Sequence, residues 1–205
     1  MARCLRSFIP GVSVHAMQRG NNRMDVFHQP ADYSTFLSLV MRVAACHAVA
    51  FHAYALMKNH VHLIVTPREP DAVPPAMKEL AQGYSRYYNR TYDRIGTLWN
   101  DRYRAKLIGD ERYWLTCLRY VEQNPVRAGI VTMPEVYPWS SYPAHAFGRW
   151  PDWLEPHPLY LALGRTDDER QAAYRNLCGQ PLADDQLAVV RVAVGQNSTR
   201  LRHSV

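Results

Sequence analysis

Two histidines one residue apart, His60 and His62, sit in the run Lys58, Asn59, His60, Val61, His62, Leu63, Ile64, Val65, Thr66. The run alternates. His60, His62, Ile64 and Thr66 fall on one face of a predicted strand, and Val61, Leu63 and Val65 on the other, because successive strand side chains point to opposite sides. Strand rise sets the two imidazoles roughly 6–7 Å apart at the backbone, close enough to lean onto one ion. They are a ligand pair in search of a third donor; the plainer reading is a half-exposed strand that happens to carry two histidines. Further along, Tyr120 and Asn124 are four apart in a helical pattern, so they lie one above the other on one helix face. That pairs a hydroxyl nucleophile with a neutral oxygen ligand. Two neutral imidazoles and an amide oxygen leave a divalent ion its positive charge, which suits the polarisation of a phosphodiester during displacement. Tyrosine can hold a phosphoryl group covalently. With a reference pKa of about 10, on the order of one phenol in a thousand is ionised at neutral pH, so a cation must lower that value or a base must take the proton. No obvious base is evident.

These side chains need elements to hold them. Residues 11–19 read as a strand in which Val12, Val14 and Ala16 alternate with Ser13, His15 and Met17, and the Gly20, Asn21, Asn22 cluster predicts a hairpin turn into residues 23–27. His15 points away from Val14. It either lies near the histidine pair or is structural, and the structural reading is preferred. From Asp32 to His47 the period becomes helical, with Phe36, Leu37, Val40, Val43, Ala44 and His47 on one stripe and Asp32 as a cap. Strands follow at 50–57 and 60–66, as antiparallel neighbours, and Pro67 ends the second. Met77, Leu80, Ala81, Tyr84, Tyr87 and Tyr88 trace a helix to about Arg90. Residues 98–108 make a last strand, with Arg102, Arg104 and Lys106 alternating against Tyr103, Ala105 and Leu107. Three cations on a strand face are either an edge kept soluble by charge or a track for phosphates. The interleaved aromatic residues favour the track. The order strand, helix, strand, strand, helix, strand predicts an α+β, ferredoxin-like antiparallel sheet with both helices on one face. A third helix over residues 112–124, closed by Pro125, would lie across the open face and bring Tyr120 and Asn124 to His60 and His62. Tyr113, two turns earlier, is the nearest rival to Tyr120, and Asn124 reads alternatively as a helix cap. Trp139 is assigned to the core rather than to base stacking.

A chain of 205 residues that is 47% hydrophobic can bury one substantial core. Residues 1–145 are assigned to the catalytic domain and 146–205 to a partly helical C-terminal extension. In that extension the prediction is a helix from Thr166 to Cys178, another over 184–194, and a frayed end. The basic residues Arg200, Arg202 and His203 at that end are read as a loose terminus. The net charge of +6 and a pI near 9.2 favour an anionic partner, nucleic acid first. Cys4, Cys46, Cys117 and Cys178 are scattered without a C-x-x-C pair, which argues against a zinc ribbon and against a disulfide framework. The first residues lack the apolar core of a signal peptide and nothing reaches membrane-spanning length, so a cytoplasmic location without membrane contact is expected.

At this point a resemblance is specific. The residues that carry it are Arg19, Gly20, Asn21, Asn22 and Arg23; Ala53 through Leu63; Gly96 through Tyr103; Arg119 through Gly129; and Tyr137, Pro138, Trp139, Ser140, Ser141 and Tyr142. The chain resembles the REP-associated tyrosine transposases, IS200-like members of the HUH class of single-strand nucleases. The resemblance implies His60 and His62 as the metal pair, Asn124 as third ligand, and Tyr120 as the nucleophile. It implies Mg²⁺ or Mn²⁺ as the cofactor, with no small-molecule cofactor. The implied partner is single-stranded or hairpin DNA, cut to a 5′-phosphotyrosine and a free 3′-hydroxyl. Arg19, Asn22 and Arg23, with Arg102, Arg104, Lys106 and Arg127, are the expected DNA contacts. A monomer is favoured and a homodimer is the alternative. The competing function is a nucleic-acid-binding module on the same fold without catalysis. A zinc hydrolase is weaker still, because no glutamate base follows the histidines in metalloprotease spacing.

Overall fold

Alternation and helical periodicity are realised along most of the chain, and a computed structural model describes residues 8–193 of it. Cys4 and the terminal Arg200, Arg202 and His203 lie outside the described residues. Strand β1, Val14–Arg19, leads through a 3₁₀ turn to helix α1, Pro30–Cys46. Strands β2, Val49–Met57, and β3, His60–Pro67, form the expected antiparallel hairpin. Helix α2, Val73–Thr91, and the short strand β4, Arg104–Leu107, complete a four-stranded sheet in the order β2-β3-β1-β4. All three pairings are antiparallel. This is the α+β, ferredoxin-like arrangement.

The two sheet faces have different tasks. Val14, Ala16, Phe51, Leu56, Val61, Leu63 and Val65 are buried in one core with Phe36, Val40, Val43, Leu80 and Tyr84 of α1 and α2. On the opposite face, Ala53, Ala55 and Ile64 share a second core with Cys117, Leu118, Tyr120 and Val121. Alanines at 53 and 55 present almost no height above the sheet. A helix can therefore lie close upon β2 and β3 there. That helix is α3, Glu111–Glu122, which packs on both strands. The fold thus divides the sheet into a packing face and a covered polar face.

Three elements differ from expectation. Residues 23–27 are not a strand. After Gly20 the chain makes the turn Asn21–Arg23, with φ of 49° at Asn22 and 60° at Arg23, and the amides of Val26 and Phe27 both reach the Lys58 carbonyl, at 2.7 and 3.1 Å. One carbonyl shared by two amides docks the segment on the β2–β3 turn instead of building a ladder. Strand β4 is four residues long where eleven were expected, so Arg102 precedes it. Pro125 does not end the helical path: after Gln123 a further turn, α4, spans Asn124–Arg127 with proline in its first turn, where no amide is required.

Beyond Arg127, short helices α5, Tyr142–Phe147, and α6, Pro158–Leu161, precede α7, Asp167–Gly179, and α8, Asp184–Ala193. Thr166 and Glu169 cap α7 reciprocally. Tyr160, Tyr174, Leu182 and Val190 join Tyr120 and Leu118 in the second core, so this segment backs the α3 helix. Among the described residues no helix is long and apolar enough to cross a membrane, and Cys46, Cys117 and Cys178 are free.

Candidate active site

Register decides which side chains meet on the covered face. In β1–β3 pairing, His60 lies opposite Arg19, His62 opposite Met17 and Ile64 opposite His15. In β1–β4 pairing, Met17 lies opposite Arg104 and His15 opposite Lys106. Partners across a ladder share a face. His60, His62, His15, Arg19, Arg104 and Lys106 are therefore all on the face that α3 covers in part. The His60 and His62 ring centroids are 5.0 Å apart. Each imidazole is held at Nδ1 and left open at Nε2. His60 Nδ1 donates to Asn59 Oδ1 at 2.6 Å, and the Asn59 amide is oriented by its Nδ2, which donates to the Arg23 carbonyl at 3.1 Å. His62 Nδ1 pairs with His15 Nε2 at 2.9 Å. Both Nε2 atoms are buried without a partner.

Burial penalises the charged imidazolium. It pushes His60 down to about 3, with Arg19 adding to the effect, and it holds His15 near 3. His62 is lowered well below its ordinary value, first by burial and then by His60, His15, Arg127 and Arg19. All three rings are neutral at pH 7. Neutral imidazoles with a bare Nε2 are donors for a divalent cation. Among the described residues no three His, Cys, Asp or Glu side chains converge as a metal site, so a third protein donor would be a neutral oxygen such as that of an amide.

Helix α3 brings the phenol. Asp110 caps it by accepting from the Tyr113 amide at 2.7 Å, and the buried stripe Cys117, Leu118 and Val121 fixes its rotation on the sheet. That rotation turns Tyr120 toward the imidazoles. Its ring centroid is 5.9 Å from that of His62 and 6.1 Å from that of His15. The helix is pinned at its other end by Glu122, which is fully buried. Its carboxyl group accepts from Ser141 Oγ at 2.5 Å, from His145 Nδ1 at 2.7 Å and from the Tyr174 hydroxyl at 2.5 Å. Asn124, one turn on from Tyr120, is buried and its Nδ2 has no partner.

Arg127 folds back rather than outward. Its guanidinium carbon lies 4.0 Å from the centroid of the Tyr120 ring, and Nη2 donates to the Tyr120 carbonyl at 2.8 Å. A second cation is near, since the Tyr120 phenolate would raise the Arg19 guanidinium that burial and the cations Arg23 and Arg104 depress. The other cations gather around Arg19. Arg19, Asn22, Arg23, Arg102 and Arg104 line one polar cavity of about 360 Å³ with Met17, Gly20, Asn100 and Asp101. Lys106 is exposed one pair further along β4. A larger, more apolar cavity of about 700 Å³ lies under Trp99 and Tyr103 against α2 and shares Asp101 and Arg102 with the first.

His15 was not counted among the site residues, although its strand parity already put it on the right face. What the strand pattern lacked was the register that sets β1 beside β3. The contact of Arg127 with Tyr120 had no signal beyond a spacing of seven, two helical turns.

A family model described as "Transposase IS200 like" matches residues 9–124. Among solved structures the chain is similar to a REP-associated tyrosine transposase bound to a REP hairpin. The two are 19% identical over 77% of this chain and 93% of that one, with a TM-score of 0.60. A candidate transposase from Deinococcus radiodurans R1 is 18% identical over 55% of this chain and 89% of its own, with a TM-score of 0.40. No curated protein matches.

Proposed function

The chain belongs to the IS200-like transposase family, whose model covers residues 9–124 of its 205, and from that premise we propose that it cuts and rejoins single-stranded DNA through Tyr120. One observation carries the reading: the Tyr120 ring stands 5.9 Å from His62, on the face where one buried and one half-buried imidazole keep unpartnered, buried Nε2 atoms. A structural tyrosine does not call for that setting.

His60, His62 and the Asn124 amide would hold Mg²⁺ or Mn²⁺, whose chemistry when bound is to polarise the scissile phosphodiester. The chain's own residues do the rest. Tyr120 Oη attacks phosphorus and forms the new P–O bond, while the bond to the 3′-oxygen breaks. The phenolic proton passes to solvent, and the departing 3′-oxygen takes up a proton to become a hydroxyl. The fragment on the 3′ side of the cut stays on the enzyme through its 5′-phosphate. Arg127 and Arg19 lower the cost of negative charge on the phenol oxygen. Because a phenolate leaves more readily than an alkoxide, a 3′-hydroxyl can reverse the step and rejoin DNA without an outside energy source. Arg19, Asn22, Arg23, Arg102 and Arg104 around the polar cavity, with Lys106 beside it, would hold phosphates of the bound strand. The substrate we assign is a REP-type hairpin, the ligand of the solved relative.

The test is a labelled hairpin oligonucleotide with Mg²⁺, followed by denaturation. A covalent protein–DNA adduct should form, and Tyr120→Phe should abolish it while Tyr113→Phe does not. Tight binding with no adduct in the native protein would make this a binding module instead.

A further inference from the structure

His15 is fully buried and has no part in the scheme above, yet it touches His62 directly. The contact follows from register. Met17 stands opposite His62, so His15 is the diagonal neighbour on the same face, within reach of a long side chain. The ring centroids are 5.1 Å apart, with the planes inclined by 33°.

A hydrogen bond between two imidazoles has one donor and one acceptor. Two arrangements satisfy the 2.9 Å contact between His15 Nε2 and His62 Nδ1. If His15 donates, the proton of neutral His62 sits on Nε2 and leaves no lone pair there for an ion. If His62 donates from Nδ1, its Nε2 carries a lone pair and the His15 proton sits on Nδ1; either way one buried N–H lacks an acceptor, so it is the ion, and not hydrogen-bond satisfaction, that selects the second arrangement. His60 resolves to the same form by a different route. The Asn59 oxygen opposite its Nδ1 can only accept, and the bond from Asn59 Nδ2 to the Arg23 carbonyl fixes which amide atom that is. Ligating histidines as a class give their second ring N–H to a fixed acceptor, which sets tautomer and orientation. Here one histidine has an amide for that purpose. We propose that His15 is the acceptor for the other, a positioning residue that holds His62 in its Nδ1–H tautomer and turns a bare Nε2 toward a divalent cation. His15 meets the pair through Nε2, which the bond to His62 occupies, so its part is to orient His62 and not to ligate. A neutral acceptor also differs in kind from the more usual carboxylate. It orients the ring without adding negative charge, so the ion keeps its full pull on the phosphodiester.

The inference rests on the metal reading of His60 and His62, and the experiment separates the two. His15→Phe keeps a ring but removes the acceptor, and His15→Gln restores an acceptor oxygen. Two readouts are taken on the full chain, with urea unfolding as a check on folding. Long-range ¹⁵N–¹H correlation spectra report the His62 tautomer without metal, and calorimetric titration with Mn²⁺ alone reports affinity. The native protein should show the Nδ1–H form of His62 and bind Mn²⁺. His15→Phe should lose that tautomer and weaken Mn²⁺ binding about 10- to 100-fold, and His15→Gln should recover most of it. A native His62 protonated at Nε2, or a His15→Phe variant with unchanged tautomer and unchanged Mn²⁺ affinity, overturns the role of His15 alone. A native protein that takes up no Mn²⁺ overturns the metal reading and the inference together.

Discussion

A phenol at neutral pH is a poor nucleophile, and the side chains around Tyr120 divide according to whether they change that. Arg127 lies over its ring and bonds its carbonyl, whereas Arg102 and Lys106 are exposed on the sheet margin. The family resemblance grouped all three as DNA contacts, and geometry gives them different signatures. Arg127→Gln removes a cation worth about 2 kcal/mol when desolvated over a ring, so adduct formation should slow by roughly 30-fold with hairpin affinity nearly unchanged. Lys106→Gln and Arg102→Gln should weaken hairpin binding and reduce the salt slope of log K by about 1 each, leaving the rate at saturating DNA intact. Single-turnover rates and binding isotherms at two salt concentrations check both. A loss of affinity in Arg127→Gln without loss of rate would return it to the DNA surface. Of the site, the histidine pair was legible because alternation is local, and the Tyr120–Asn124 pair because four residues close a helical turn. His15 was ambiguous and the Arg127 contact invisible. His15 depends on which strand lies beside which, settled only when the sheet has paired, and Arg127 on the helical path continuing past Pro125 into α4.

Elements show the same division between local and non-local information. Helices α1, α2, α3 and α7 announce themselves by stripes and caps. Two of the misreadings fall where the backbone is recruited by something distant in sequence: residues 23–27 by the Lys58 carbonyl, and residues 98–100 by the end of β1 and its turn, where the Asn100 amide donates to the Arg19 carbonyl at 2.9 Å and the Asn21 amide to the Leu98 carbonyl at 2.8 Å. Neither partner is visible in a window of ten residues. Gly20 marks the first of these sites. A Cβ there would stand 2.4 Å from the Met24 carbonyl oxygen, so Gly20→Ala must displace the turn that carries Asn22 and Arg23. We expect hairpin binding to weaken several-fold in Gly20→Ala while the thermal midpoint moves little, measured by fluorescence anisotropy and by calorimetry. Glu122 is the opposite case, a residue that serves the element and not the strand of DNA. Its carboxyl group ties the end of α3 to Ser141, His145 and Tyr174. Glu122→Ala leaves three buried groups without their acceptor at about 1–3 kcal/mol apiece. A loss of about 3 kcal/mol or more in urea unfolding is the expected outcome. A variant as stable as the native chain would mean that solvent reaches this network.

The whole molecule carries the cost of keeping imidazoles neutral inside it. His15 and His60 are held near 3 by burial, His157 near 4 by burial and the neighbouring His52, and His62 well below its ordinary value. In the unfolded chain the same groups titrate near 6.5. Between roughly pH 6.5 and 4 the unfolded state therefore binds more protons than the folded one, and stability must rise with pH across that window. The contribution is complete above 6.5 and is lost as pH falls toward the folded values, at up to about 1.4 kcal/mol per pH unit for each fully buried ring and less for half-buried His157. The urea midpoint should be level at pH 7–8 and drop steeply from pH 6.5 to 5.5. Metal binding should behave differently. An ordinary exposed histidine pair would gain protons over that range and lose Mn²⁺ affinity by up to about tenfold per histidine per pH unit. Here the folded rings are already unprotonated, so no proton has to be displaced. Mn²⁺ affinity of the folded protein should change less than threefold between pH 7.5 and 5.5, even as the stability beneath it declines. An affinity that falls tenfold or more while the protein is still folded would mean that the two imidazoles sit in water, and that α3 does not cover them in solution as it does here.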